Sequence, residues 1–192
     1  MPKAWQEISR FGKKTVASGL TSSRFGNISL CQGETIFITR TGSMLDELDQ
    51  AQVIDVDLRG PSDRDKEASS ETSVHRAIYQ STNAKAIIHT HSPFAVALSL
   101  LEQDVVEPLD SEGLFFLGAM PIVEGLFGTD ELAKALCAGL QSHKACIARG
   151  HGVFAPGITL CEAYDLACMA EHSAQVRYLV KARFLQRPES EC

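Results

Sequence analysis

The stretch Ala84-Lys85-Ala86-Ile87-Ile88-His89-Thr90-His91-Ser92-Pro93 sets the frame for everything around it. Ala84 to His89 is short, mostly apolar and bounded by polar residues, the pattern of a buried strand. Pro93 then opens the run to Leu101, which reads as a helix with proline at its first position. His89 and His91 therefore fall where a strand runs out. Residues two apart on a strand point to the same side, so both imidazoles can converge on one ion.

Other elements are read outward from this strand. Ala4 to Ser18 reads as a helix with Trp5, Ile8, Phe11 and Val16 near one face and Gly19 as its stop. Asn27–Cys31 and Thr35–Arg40 read as strands joined at Gln32-Gly33, and Val53–Leu58 as another. Ser69 or Ser70 caps a helix through His75 to Gln80, with Glu71 in its first turn. Leu114–Leu117, Pro121–Val123 and Ala145–Ala148 read as strands, and Thr129 caps a helix ending near Gly139. Thr159 and Glu162 form a capping box that starts a long helix reaching about Phe184. Helices interleaved with strands and hairpins predict mixed α and β structure in one domain.

Bulk properties narrow the function. A chain of 192 residues buries roughly 70% of its unfolded surface, so it builds a core without staples. Hydrophobic residues make up 44% and charged residues 22%, the balance of a globular domain. The net charge is −6 and the 18 Lys and Arg form no basic stripe, which argues against nucleic acid. Lys3, Gln6, Glu7 and Arg10 rule out a signal-peptide apolar region at the start. The longest apolar stretch, Phe94–Leu101, is too short to span a bilayer. Six cysteines with no C-x-x-C spacing read as mostly buried thiols of a cytoplasmic protein.

His151 joins the two strand-end histidines. It sits in Gly150-His151-Gly152 directly after an apolar strand, where the flanking glycines let the backbone turn sharply and present the ring. Three protein ligands with one open position are the pattern of catalytic zinc. Glu71 adds a carboxylate that either complements its helix dipole or ligates the ion and moves a proton beside it. Gly26-Asn27-Ile28-Ser29 and Thr39-Arg40-Thr41-Gly42-Ser43 join glycine to small donors at strand boundaries, as backbone anion nests do. A metal beside such nests suggests a phosphorylated substrate.

These residues together resemble the class II aldolase/adducin family. The resemblance runs from about Thr15 to Leu185 and rests on G-N-I-S at Gly26, T-x-T-G at Thr39, S-S-E at Ser69, H-x-H at His89 and G-H-G at His151. It implies a single-domain, three-layer α/β/α fold over residues 1–192 with a mixed, largely antiparallel sheet, and 188–192 as a loose tail. It also implies a homotetramer with active sites between neighbouring subunits. His89, His91 and His151 match the zinc ligands, and Glu71 matches the carboxylate that is both ligand and acid/base. Gly26, Asn27, Thr41, Gly42, Ser69 and Ser70 match phosphate-binding positions.

The implied activity is zinc-dependent cleavage of a ketose 1-phosphate, of the L-fuculose 1-phosphate kind, to dihydroxyacetone phosphate and an aldehyde. Related pentulose-phosphate 4-epimerases, dehydratases and a non-catalytic adducin-like assembly module are the alternatives. Such epimerases carry aspartate where this chain has Glu71, which favours the aldolase. One departure stands out. Family aldolases use tyrosines as proton donors, but Leu109-Asp110-Ser111-Glu112-Gly113 has none and the chain ends soon after Phe184. Glu112 is the substitute acid the sequence offers, against the simpler reading of an exposed loop carboxylate.

Overall fold

The structure is a computed structural model and describes residues 3–185; the expected loose tail at 188–192 and Cys192 lie outside the described residues. Among the described residues there are five α-helices: α1 (Ala4–Ala17), α2 (Thr72–Ser81), α3 (Pro93–Leu101), α4 (Asp130–Leu140) and α5 (Leu160–Leu185). Eight strands accompany them: β1 (Asn27–Gln32), β2 (Thr35–Thr39), β3 (Val53–Asp57), β4 (Ala86–Thr90), β5 (Val105–Val106), β6 (Met120–Val123), β7 (Cys146–Ala148) and β8 (Gly152–Gly157). The strands form one sheet in the order β3-β2-β1-β4-β8-β7-β6-β5. Only β6 and β7 pair in parallel, so the sheet is mixed and largely antiparallel.

Both sheet faces are covered. Ile8, Phe11, Ala95, Leu98, Leu160 and Ala163 bring α1, α3 and α5 onto one face, over Ile28, Ile88 and Val153. Val74, Ile78, Leu132 and Leu136 bring α2 and α4 onto the other, over Ile36, Ile38, Ile87 and Phe154. A strand between two helical layers has no polar face, which is why β4 is buried at all five positions. Ala163, Ala167, Ala170 and Ala174 repeat at helical spacing along α5 and give its long span a buried stripe of small side chains. The fold is α/β with three layers, as the resemblance implied.

Two local expectations are corrected, and one strand is added. Leu114–Leu117 is no strand: residues Gly113–Leu117 form a π-helical turn, closed by Gly118 N–H donating to Gly113 O at 2.8 Å. Asp110 Oδ1 accepts from Gly113 N–H at 2.7 Å and starts the turn, and Gly118 leaves it at φ 79°. Neither Ser69 nor Ser70 occupies the cap of α2; Glu71 does, one residue before the helix begins. The segment after His151 is a full central strand, β8, lying between β4 and β7. It went unread in the sequence, because glycines stand at both of its ends and Pro156 lies within it.

Candidate metal centre

Four elements meet at one end of the central strands. His89 is the fourth residue of β4 and pairs across to Asn27 of β1 and to Phe154 of β8. His91 follows the strand, with its backbone N–H reaching Thr21 Oγ1 at 3.4 Å. His151 sits in the turn between β7 and β8, which Gly150 enters at φ 66°. The β1 and β8 backbones come unusually close to this strand. A Cβ on Gly26 would lie 2.3 Å from His89 O, and one on Gly152 would lie 2.1 Å from Thr90 O. Glycine is required at both positions.

One ligand atom from each of His89, His91 and His151 lies within 4.8 Å of the others. Two rings are backed by phenylalanine: Phe154 stacks on His89 with centroids 4.0 Å apart, and Phe25 on His91 at 5.2 Å. Burial pushes His89 well below the usual imidazole range, helped by His151 and His91. Burial also lowers His91, to about 4, with His151 adding and Glu71 opposing. Both rings are therefore neutral near pH 7.

The hydrogen bonds then fix the tautomer of His89. Its Nδ1 lies 3.0 Å from Val153 O, and a carbonyl only accepts, so Nδ1 carries the hydrogen and Nε2 the lone pair. That lone pair stands 3.1 Å from Glu71 Oε2 without hydrogen-bond geometry. Glu71 Oε1 lies 3.9 Å from His151 Nδ1, and both atoms lack a hydrogen-bond partner. The buried His89 lone pair facing a buried carboxylate, with His151 Nδ1 also unpartnered, leaves polar atoms uncompensated, at a cost of several kcal/mol. A divalent cation among them compensates all of these atoms. The donor set, three imidazoles with one carboxylate, suits such an ion.

A cleft of about 380 Å³ opens over this group. Gly26, Asn27, Thr41, Gly42, Ser69, Ser70, Glu71, His91 and His151 all line it, while His89 lies fully buried behind them. The two turns read as anion nests thus face the histidines across one cavity. Asn27 is shared: its Nδ2 donates to Glu71 Oε2 at 2.9 Å, and its Oδ1 has no partner. Glu112 is not brought to the cleft; it is exposed and accepts from Ser111 Oγ at 3.1 Å. Arg24, Phe25 and Phe127 line the cleft and went unread in the sequence. Arg24 and Phe25 immediately precede the glycine of the first nest, and Phe127 precedes the Gly128-Thr129 start of α4, so adjacency to turn glycines was the available signal. The tyrosines lie elsewhere, with Tyr164 bonded to Ser18 at 2.6 Å and Tyr178 packed on Phe94.

Comparison with known proteins places these features in company. A family model described as the Class II Aldolase and Adducin N-terminal domain matches residues 6–178. The chain is 30% identical over 190 residues to a 5-deoxy-D-ribulose 1-phosphate aldolase of Bacillus thuringiensis, covering 95% of this chain and 87% of that one. It is 31% identical to a 3-oxo-tetronate 4-phosphate decarboxylase of Pectobacterium atrosepticum, with coverage of 95% and 88%. Among solved structures, an L-fuculose-1-phosphate aldolase from Thermus thermophilus superposes with a TM-score of 0.89 at 33% identity, covering 96% of this chain and 97% of that one.

Proposed function

Because this chain belongs to the class II aldolase and adducin family, we propose that it is a zinc-dependent aldolase cleaving a ketose 1-phosphate to dihydroxyacetone phosphate and an aldehyde. The observation that carries the reading is the buried carboxylate of Glu71 held against the lone pair of His89, beside a donor-lined cleft. Glu71, His89, His91 and His151 are the residues that hold the ion. When bound, it supplies Lewis-acid polarisation of the ketose carbonyl and the adjacent hydroxyl.

The remaining steps belong to the chain's own residues. Thr41, Gly42, Ser69 and Ser70, with Gly26 and Asn27, offer small donors and backbone N–H groups to the phosphate at the mouth of α2, whose positive dipole end favours an anion. This anchors the C1 end of the ketose and brings C3 toward Glu71. Asn27 occupies Glu71 Oε2, leaving Oε1 as the atom available for proton transfer. As the C4 hydroxyl gives up its proton to solvent in the open cleft, breaking the C3–C4 bond leaves the electron pair on C3 as an enediolate and releases C4 as the aldehyde, while Glu71 Oε1 takes up a proton from the same solvent. Proton delivery from Glu71 to C3 completes dihydroxyacetone phosphate; in the reverse direction the same oxygen removes that proton.

The reading extends to a homotetramer in the cytoplasm. Support comes from Leu114, Phe115 and Phe116, which expose 62%, 80% and 53% of their surface on the π-helical turn, a patch that asks for a partner. The five cysteines among the described residues are free thiols, which suits a reducing compartment. No helix among the described residues is long and apolar enough to cross a membrane.

The test is a panel of ketose 1-phosphates, L-fuculose 1-phosphate and 5-deoxyribulose 1-phosphate first, with release of dihydroxyacetone phosphate followed by a coupled assay. Release that disappears with chelator supports the reading. Interconversion of L-ribulose 5-phosphate and D-xylulose 5-phosphate without cleavage replaces it with the epimerase.

A further inference from the structure

Helix α2 and strand β1 are joined by three buried polar contacts, and only the first lies at the metal centre. Asn27 Nδ2 donates to Glu71 Oε2 at 2.9 Å. Two residues further along β1, the Ser29 hydroxyl lies 2.7 Å from His75 Nδ1 and 2.6 Å from the Tyr79 hydroxyl. Asn27 and Ser29 share one face of the strand, while Glu71, His75 and Tyr79 follow one another at four-residue intervals. Two strand residues advance about 6.7 Å and four helical residues about 6 Å, so the two repeats stay in step over this span.

The ladder sits in the buried layer between α2 and the sheet. Ser29 and His75 are fully buried and Tyr79 nearly so. Elsewhere α2 meets the sheet through Val74 and Ile78, apolar side chains that permit a helix to slide or turn slightly at little cost. Directional bonds between buried groups do not permit it, since each one broken leaves a buried polar atom without a partner. The ladder is also uncharged, because burial takes His75 down to about 3. Glu71 caps α2 and moves with it, whereas His89 sits on β4, which is paired to β1. The placement of α2 along β1 therefore sets the separation of Glu71 from the histidines.

We propose that Ser29, His75 and Tyr79 are positioning residues, a register device that holds the Glu71 carboxylate at the distance from His89 and His151 that a metal ion requires. This rests on Glu71 and the histidines being the ligands. Removing the outermost hydroxyl, some two helical turns from Glu71, should then loosen the metal centre while leaving the core packed.

Tyr79→Phe and Ser29→Ala test the idea on full-length protein loaded with Co²⁺. Three quantities are read: Co²⁺ affinity by competition with a chromophoric chelator, the visible spectrum of the bound ion, and Tm. The expected result for Tyr79→Phe is affinity weaker by about tenfold, the usual effect of losing an outer-shell partner, with a shifted Co²⁺ spectrum and a Tm loss of only about 2–4 °C. Ser29→Ala should move affinity and spectrum further in the same direction. Wild-type affinity and spectrum in both variants, with or without a loss of Tm, would show a merely structural network and overturn the proposal. If Ser29→Ala does not fold, Tyr79→Phe decides alone. A wild-type chain that binds no Co²⁺ overturns the ligand assignment itself, an outcome distinct from variants that bind as wild type does.

Discussion

Two groups that repel each other in isolation, the Nε2 lone pair of His89 and the carboxylate of Glu71, are held 3.1 Å apart in the interior. Replacing Glu71 by glutamine keeps the shape and the contact with Asn27 while removing the proton-moving oxygen. Cleavage should fall by about 10²–10⁴-fold in kcat with the fold intact by circular dichroism. The histidines also make the metal-free protein acid-sensitive. His75 and His91 are lowered to about 3 and about 4, below the value near 6.5 of an unfolded chain. Between these limits the unfolded chain binds more protons than the native one, so stability falls as pH drops from about 6.5 toward 4. Urea titrations of chelator-treated protein at pH 7 and pH 4.5 check this; equal midpoints would contradict it. The histidines were legible because ligands must be close and strand or turn positions bring them together. The Asn27–Glu71 bond was not, because it joins residues 44 apart through helix-on-sheet packing that no local pattern encodes.

At the level of elements, β4 carries the site because its neighbours come close enough to frame it. Gly26 at φ 79° and Gly152 have no room for a side chain against the β4 backbone. Gly26→Ala should destabilise the protein by about 2 kcal/mol or more, through both strain and the clash with His89 O; thermal unfolding reads it. Alanine at Gly33, whose Cβ would meet nothing within 4 Å, is the control that isolates the strain of positive φ alone. Long, periodic elements were read well from the sequence: α1, α3, the β1–β2 hairpin and the capped start of α5 fall within a residue or two of expectation. Those that failed or went unread depend on context. In β8, Gly152, Pro156 and Gly157 carry turn chemistry, and only burial between β4 and β7 makes the segment a strand. In Gly113–Leu117 an apolar run looked like a strand, but its middle residues point to solvent and Asp110 winds it into a turn.

For the whole molecule, the three-layer fold places the histidines and both nests at one end of the central strands and leaves an apolar turn around Phe115 exposed. The proposed homotetramer should sediment at four times the 20.9 kDa of the chain, and Phe115→Asp should lower that mass; a wild-type monomer at micromolar concentration would contradict it. Mixed α and β structure in one domain could be read from the interleaved helices and strands, and the three layers followed from the family resemblance; the exposed turn could not be read, because the apolar run Leu114–Leu117 has the pattern of a strand. All of these scales converge on the ion. The most direct measurement is the divalent-metal content of the purified chain after equilibration with zinc and gel filtration, for wild type, His91→Ala and Glu71→Gln. The account predicts one equivalent per wild-type chain, almost none in His91→Ala, and weakened binding in Glu71→Gln. A folded wild-type chain that retains no metal, or a His91→Ala chain that retains a full equivalent, would contradict it.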